Sequence, residues 1–172
     1  YGTDALRMAL VVGNTPGTDM ALAEDKIKGY KHFANKLWNI SRFVLTSAEG
    51  VDVGKKPKLT DQDEQTLKEM EVVIKDITKD IERYRFYMAA EKIYRYAWHT
   101  FADIIIEQAK PRLGDGADKT DRAAAQWVLL EVLKNSLIVL HPFMPFVTEE
   151  IWSTLPYWQG KEMLIIEKWP HN

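Results

Sequence analysis

The 172-residue chain contains no cysteine. That absence removes disulfide frameworks and thiolate metal sites, and it fits a cytoplasmic origin. No uninterrupted apolar run approaches the roughly 20 residues needed to span a bilayer, and no signal peptide opens the chain. A membrane partner is therefore not expected. There is no Gly-rich phosphate loop, no Walker signature and no serine in a nucleophile-elbow context. The four histidines, His32, His99, His141 and His171, include no pair at a ligand spacing such as i, i+4. Glu149 and Glu150 are adjacent, about 100° apart on a helix, which suits a dipole-favoured surface pair better than a catalytic one. His141, before Pro142, reads as a structural residue near the last carbonyls of a helix. Catalytic residues, metal ligands and a cofactor site are thus not expected. Excess charge is missing too: the formal net charge is −2. A protein that binds nucleic acid over its whole surface is usually basic, so any such site here must be a local patch.

What is present is apolar and helical. Hydrophobic residues make up 46% of the chain, with six Trp, seven Tyr and six Phe, enough for a substantial core. The helical period predicts helices from about Thr3 (as N-cap) to Val12, Ala23 to Ser47, Thr60 to Arg83, Tyr84 to Lys110, Asp121 to Leu140 and Pro145 to Leu155. Thr60 with Asp63 resembles a capping box. Pro111 is expected to stop the fourth helix. Breaks fall at Gly13-Asn14-Thr15-Pro16-Gly17, at Glu49–Lys58 and at Gly114-Asp115-Gly116. The stretch Trp127–Leu140 is apolar on nearly all sides, as in the central helix of a bundle. The fold class is all-α, a bundle of about five to six helices, with a possible short strand at 163–166. Trp38, Leu37, Tyr30, Trp127, Leu130, Leu133, Leu137, Phe146 and Trp152 are expected in the core. Residues 1–172 read as a single domain. The helical pattern begins at once after Tyr1-Gly2, which reads as a fragment of a larger protein.

The second helix departs from a plain bundle helix. Ile27, Tyr30, Ala34, Leu37, Trp38, Ser41, Val44 and Leu45 fall on one broad face, read as the core stripe. On the other side His32, Lys36, Asn39 and Phe43 follow i, i+4, i+7, i+11 and align, with Asn35 beside them and Arg42 and Lys28 at the edge. No Asp or Glu occurs between Lys26 and Ala48, whereas Lys26, Lys28, Lys31, Lys36 and Arg42 do. One reading is that Phe43 packs under another helix. The other is an RNA surface, on which a ring stacks with bases, amides read base edges and cations hold phosphates. The third helix, with Asp61, Asp63, Glu64, Glu69, Glu71, Asp76 and Asp80, should face away from RNA.

Three runs resemble a known family. Asp4-Ala5-Leu6-Arg7 resembles the element that begins the helical domain of class I aminoacyl-tRNA synthetases. The run Gly29-Tyr30-Lys31-His32-Phe33-Ala34-Asn35-Lys36-Leu37-Trp38-Asn39, continued by Arg42-Phe43-Val44-Leu45, is similar to the signature helix of valyl-tRNA synthetases. The run from His141-Pro142-Phe143-Met144-Pro145-Phe146 to Glu149-Glu150-Ile151-Trp152 resembles a late segment shared by the valine, isoleucine and leucine enzymes, and Trp169-Pro170 also fits. The resemblance implies an anticodon-binding domain that performs no catalysis by itself and needs no cofactor. It holds the anticodon stem-loop of tRNA(Val) beside a catalytic domain in cis. The intact cytoplasmic enzyme uses ATP and Mg²⁺ to attach valine to its tRNA. Phe43 is implied as the stacking ring. Asn39, Lys36, Arg42, Asn35 and His32 are its neighbours, and Lys26 replaces a basic residue expected where Glu24-Asp25 stands. Arg7 is implied as structural. A monomer is expected. The equivalent domain of an isoleucine or leucine enzyme, and a helical protein-docking module anchored by Phe43, remain alternatives.

Overall fold

The computed structural model describes residues 1–15, 17–114, 116–156 and 163–170. Pro16, Asp115 and His171, named above, lie outside the described residues. In chain order the helices are α1 (Thr3–Val11), α2 (Glu24–Ser47), α3 (Asp61–Glu82), α4 (Phe86–Arg95), a π-helical segment (Tyr96–Ile105), α5 (Ile106–Leu113), α6 (Lys119–Leu140) and α7 (Pro145–Trp152). α4, the π segment and α5 follow one another without a break and form one rod. The tail turns once as a 3-10 helix, Leu164–Ile166.

α6 is the axis of the bundle. Its centre is buried nearly all round, from Ala124 through Leu129, Leu130, Leu133 and Leu137 to Leu140. By length and composition it could cross a membrane, yet most of it is buried among the other helices, which accounts for its apolar surface. Asp118 starts it by accepting the backbone N–H groups of Thr120 and Asp121 at 2.9 and 3.0 Å. Rods α2, α3 and α4–α5 surround it, and α1 and α7 close one side.

The capping box at α3 forms as the pattern predicts. Thr60 Oγ1 accepts from Asp63 N–H, and Asp63 Oδ2 accepts from Thr60 N–H at 3.0 Å. Arg112, from the end of α5, then donates to both Asp63 oxygens at 2.6 and 2.8 Å, tying the start of α3 to the far end of the rod. Just past the end of α3 stands Tyr84, whose φ is 58°. Tyr84 N–H bonds to Ile81 O and Arg85 N–H to Asp80 O, the two closing bonds of a Schellman motif.

Several expectations are corrected. The N-cap of α1 is Gly2, and Thr3 is already helical. Pro111 does not stop its helix at once: the helix runs two residues further, to Leu113, with the one N–H that proline lacks missing from its last turn. Residues 163–166 form no strand: only Leu164 is buried, and Ile165 and Ile166 face outward. Trp38 and Phe146 are not core; they are 42% and 64% exposed. Tyr30 and Trp127 are only partly buried against the core. Leu37, Leu130, Leu133, Leu137 and Trp152 are buried as expected. On α2 the buried line is Phe33, Leu37, Ile40, Ser41 and Val44, turned away from Trp38. Phe33 sets that line: its ring meets Tyr94 edge-on at 4.8 Å and stacks on Trp98 at 5.9 Å. Glu149 is more than a surface residue, since its Oε1 accepts the N–H of Leu164 at 2.8 Å.

Candidate nucleic-acid interface

α2 runs beside the rod in the same direction, with Tyr30 against Tyr94 at one end and Lys36 against Asp103 further along. Where the two separate, a shallow groove of about 390 Å³ opens. Its α2 wall carries His32, Asn35, Lys36, Asn39 and Phe43, and its rod wall carries Ala102, Ile106 and Lys110. The polar line predicted on α2 is thus one wall of one groove. His32, Asn35 and Asn39 are exposed, so their polar edges are free to meet a ligand.

Phe43 faces two ways. The ring is partly buried and packs against the core, yet it also floors the groove. A ring supported from behind and open in front suits stacking, because little side-chain freedom remains to be lost on contact. Lys36 is not a free cation. Its Nζ lies 2.8 Å from Asp103 Oδ1 and 4.4 Å from the centre of the Trp98 ring. The Lys36 ammonium holds the Asp103 carboxyl below the usual range. No acid lies between Lys26 and Ala48 in sequence, but Asp103 arrives beside Lys36 from the rod. Sequence spacing on α2 shows neither this acid nor Lys110, which also comes from the rod.

Two of the implied residues are not brought to this groove. Lys26 turns the other way and donates to Val12 O at 2.6 Å, closing the end of α1; burial lowers its pKa. Arg42 is exposed outside the groove wall and forms no ion pair among the described residues. Trp38 occupies a separate hollow with Tyr1, Ala34, Phe146 and Val147. The acidic helix α3 does not border the groove. Its Asp76 and buried Asp80 each hold Lys92 at 2.5 Å. Among the described residues no group of three His, Asp or Glu side chains could hold a metal ion.

The Asp-Ala-Leu-Arg run at the start of the chain has a structural task. Asp4 accepts from the N–H groups of Phe146 and Val147, capping α7, and Arg7 donates to Pro142 O and Phe143 O. The early run and the late run of the resemblance are therefore hydrogen-bonded to each other. His141 Nδ1 lies 2.9 Å from Thr148 Oγ1 in the same connection, and burial lowers its pKa.

Comparison with known proteins agrees with this architecture. The family model described as the anticodon-binding domain of tRNA ligase matches residues 63–172. A valine–tRNA ligase of Carboxydothermus hydrogenoformans is 42% identical over 99% of this chain, which covers 19% of that protein. One from Geobacter sulfurreducens is 40% identical over 100% of the chain and 20% of its own length. One from Aquifex aeolicus is 35% identical over 97% and 16%. The chain spans about a fifth of the length of the first two of these relatives. A crystal structure of the Agrobacterium radiobacter K84 agnB2 LeuRS–tRNA–LeuAMS ternary complex shares the fold, with a TM-score of 0.72 at 18% identity, over 97% of this chain and 19% of that one. With the family match extending over α3 to the tail, and full-chain similarity carrying it through α1 and α2, the chain belongs to the anticodon-binding domain family of the tRNA ligases.

Proposed function

We propose that these 172 residues act as one domain of a valine–tRNA ligase and hold the anticodon stem-loop of tRNA(Val) in the α2–rod groove. The observation that carries this reading is the groove itself. It gathers a supported aromatic ring, two exposed amides and two lysines within one shallow opening. A base stacks on Phe43, Asn35 and Asn39 meet base edges, and Lys36, Lys110 and the nearby Arg42 meet phosphates. His32 closes one end of the groove. The 35–42% identity to valine–tRNA ligases over nearly the whole chain favours valine over the isoleucine and leucine enzymes.

The parent enzyme, a cytoplasmic monomer in this reading, attaches valine to its tRNA with ATP and Mg²⁺. The residues of this chain do not suit those two groups: it has no phosphate-binding loop and no acidic cluster placed for a metal among the described residues. The domain's contribution is to select and orient the RNA.

Binding of RNA hairpins with valine, isoleucine and methionine anticodons, each titrated with salt, tests the proposal. The valine hairpin should bind tightest, and all should weaken steeply as salt rises, through counterion release. Equal binding of the three hairpins would remove the choice of tRNA(Val), and binding insensitive to salt would exclude the RNA surface in favour of a protein-docking one.

A further inference from the structure

The groove is less basic than α2 alone implies, because the rod supplies a carboxylate to each of its lysines. Asp103 pairs with Lys36 at 2.8 Å and Glu107 with Lys110 at 2.5 Å. The two pairs are not equal. Glu107 and Lys110 are both about half exposed on one helix, an arrangement of small energetic consequence. Lys36 is only 27% exposed and is backed by the Trp98 indole. The second Asp103 oxygen faces His99 Nδ1 at 3.4 Å. In the free domain this carboxylate is therefore held between the groove residue Lys36 and the His99 ring.

An RNA entering the groove changes that arrangement. Its phosphates attract Lys36 and repel Asp103. Once Lys36 turns to a phosphate, the Asp103 carboxylate loses its main partner and remains beside the bases as a pure acceptor. A hydrogen-bond donor must then take the place of the ammonium. The amino groups of cytosine and adenine are such donors, whereas uracil presents a carbonyl oxygen at the equivalent position. A carboxylate set against that oxygen would be left unpaired, which is costly where water is excluded.

We infer that Asp103 is a specificity-determining residue: released from Lys36 by an RNA phosphate, it accepts from the amino group of a base seated in the groove and disfavours uracil there. This rests on the reading of the groove as the RNA face. Lys36 and Asp103 then divide two tasks: the lysine adds affinity for any RNA, and the carboxylate converts its own release into a choice of base.

The test uses the 172-residue chain and RNA hairpins carrying the valine anticodon or a single uracil substituted at its second or third position. For the wild-type domain, one uracil substitution should weaken binding by roughly tenfold or more. In Asp103→Asn, whose amide offers both a donor and an acceptor, that penalty should shrink several-fold. Lys36→Ala should weaken all hairpins alike, reduce the salt slope by about 0.7 and leave the uracil penalty in place. Asp103 is half exposed, so Asp103→Asn should fold, and thermal unfolding verifies it. An unchanged uracil penalty in Asp103→Asn overturns this inference alone and leaves Asp103 as an anchor for Lys36. Absence of salt-dependent hairpin binding by the wild-type domain removes the groove reading itself.

Discussion

The carboxylate of Asp4 accepts the backbone N–H of Val147 at 2.7 Å, across 143 positions of sequence. One residue near the start of the chain therefore caps a helix near its end, and the negative charge sits where that helix's free N–H groups point. Asp4 is 7% exposed, so water cannot replace it easily. Asp4→Ala should lower stability by about 1–2 kcal/mol, and Asp4→Asn by less, since the amide oxygen still accepts. Urea unfolding of the three proteins checks this; equal midpoints would show the cap to be inert.

Asp63 joins the α3 capping box to Arg112 and is 3% exposed. Burial pushes its carboxyl up, but the Arg112 guanidinium and the Thr60 N–H and hydroxyl outweigh that and hold it below its ordinary value. A depressed folded pKa contributes stability that is present above the unfolded pKa and lost as pH falls through the folded one. Stability should therefore decline below about pH 4. Asp63→Asn should remove part of that decline. Arg112→Ala leaves a buried carboxylate without its cation and should cost on the order of 3 kcal/mol at neutral pH. Denaturant midpoints measured from pH 2 to 7 separate the variants.

Tyr84 stands where a helix end most often has glycine, with φ of 58° and 80% of its surface exposed. Its only ring contact among the described residues is an edge-on one with Phe86 at 6.1 Å. Tyr84→Gly should stabilise the domain by up to about 1 kcal/mol, since the strain exceeds what that contact returns. A fall in melting temperature would show that the Tyr84–Phe86 pair matters more than the backbone.

Phe43 supports the core and floors the groove, so truncation to Ala would confuse two effects. Phe43→Leu retains the apolar support and removes the stacking face. It should leave unfolding nearly unchanged, within about 1.5 kcal/mol, and weaken hairpin binding by about 1–3 kcal/mol. Unaltered hairpin affinity would assign Phe43 to packing alone.

Elements that depend on neighbours in sequence were legible. The Thr60/Asp63 box, the buried axis of α6 and the aligned polar line of α2 all follow from local spacing. The core face of α2 was misjudged because its apolar residues cover a broad arc, and periodicity cannot choose the centre of such an arc. Tyr94 and Trp98, on another rod, place that centre at Phe33 and leave Trp38 outside. Nothing near Asp4 in sequence refers to α7; only the folded chain brings that helix to it. Lys110 as a groove residue, and Asp103 as the partner of Lys36, were invisible because nothing near them in sequence refers to α2.

The π segment keeps the rod in phase with its neighbours. The buried residues Ala89, Ile93, Ala97, Phe101, Ile105 and Ala109 recur at every fourth position. In α-helical turns a step of four overshoots a full rotation by about 40°, so such a line would wind away around the rod. Wider π turns, at roughly 4.4 residues each, fall short of a full rotation over the same step and wind it back. The seam thus stays straight from α4 to α5, and Ala102 and Ile106 arrive facing Asn39 and Phe43. Deleting a single residue between Tyr96 and Ile105 would reset the winding by roughly 80° beyond the cut. The groove would then lose its far wall even though every α2 side chain remained in place.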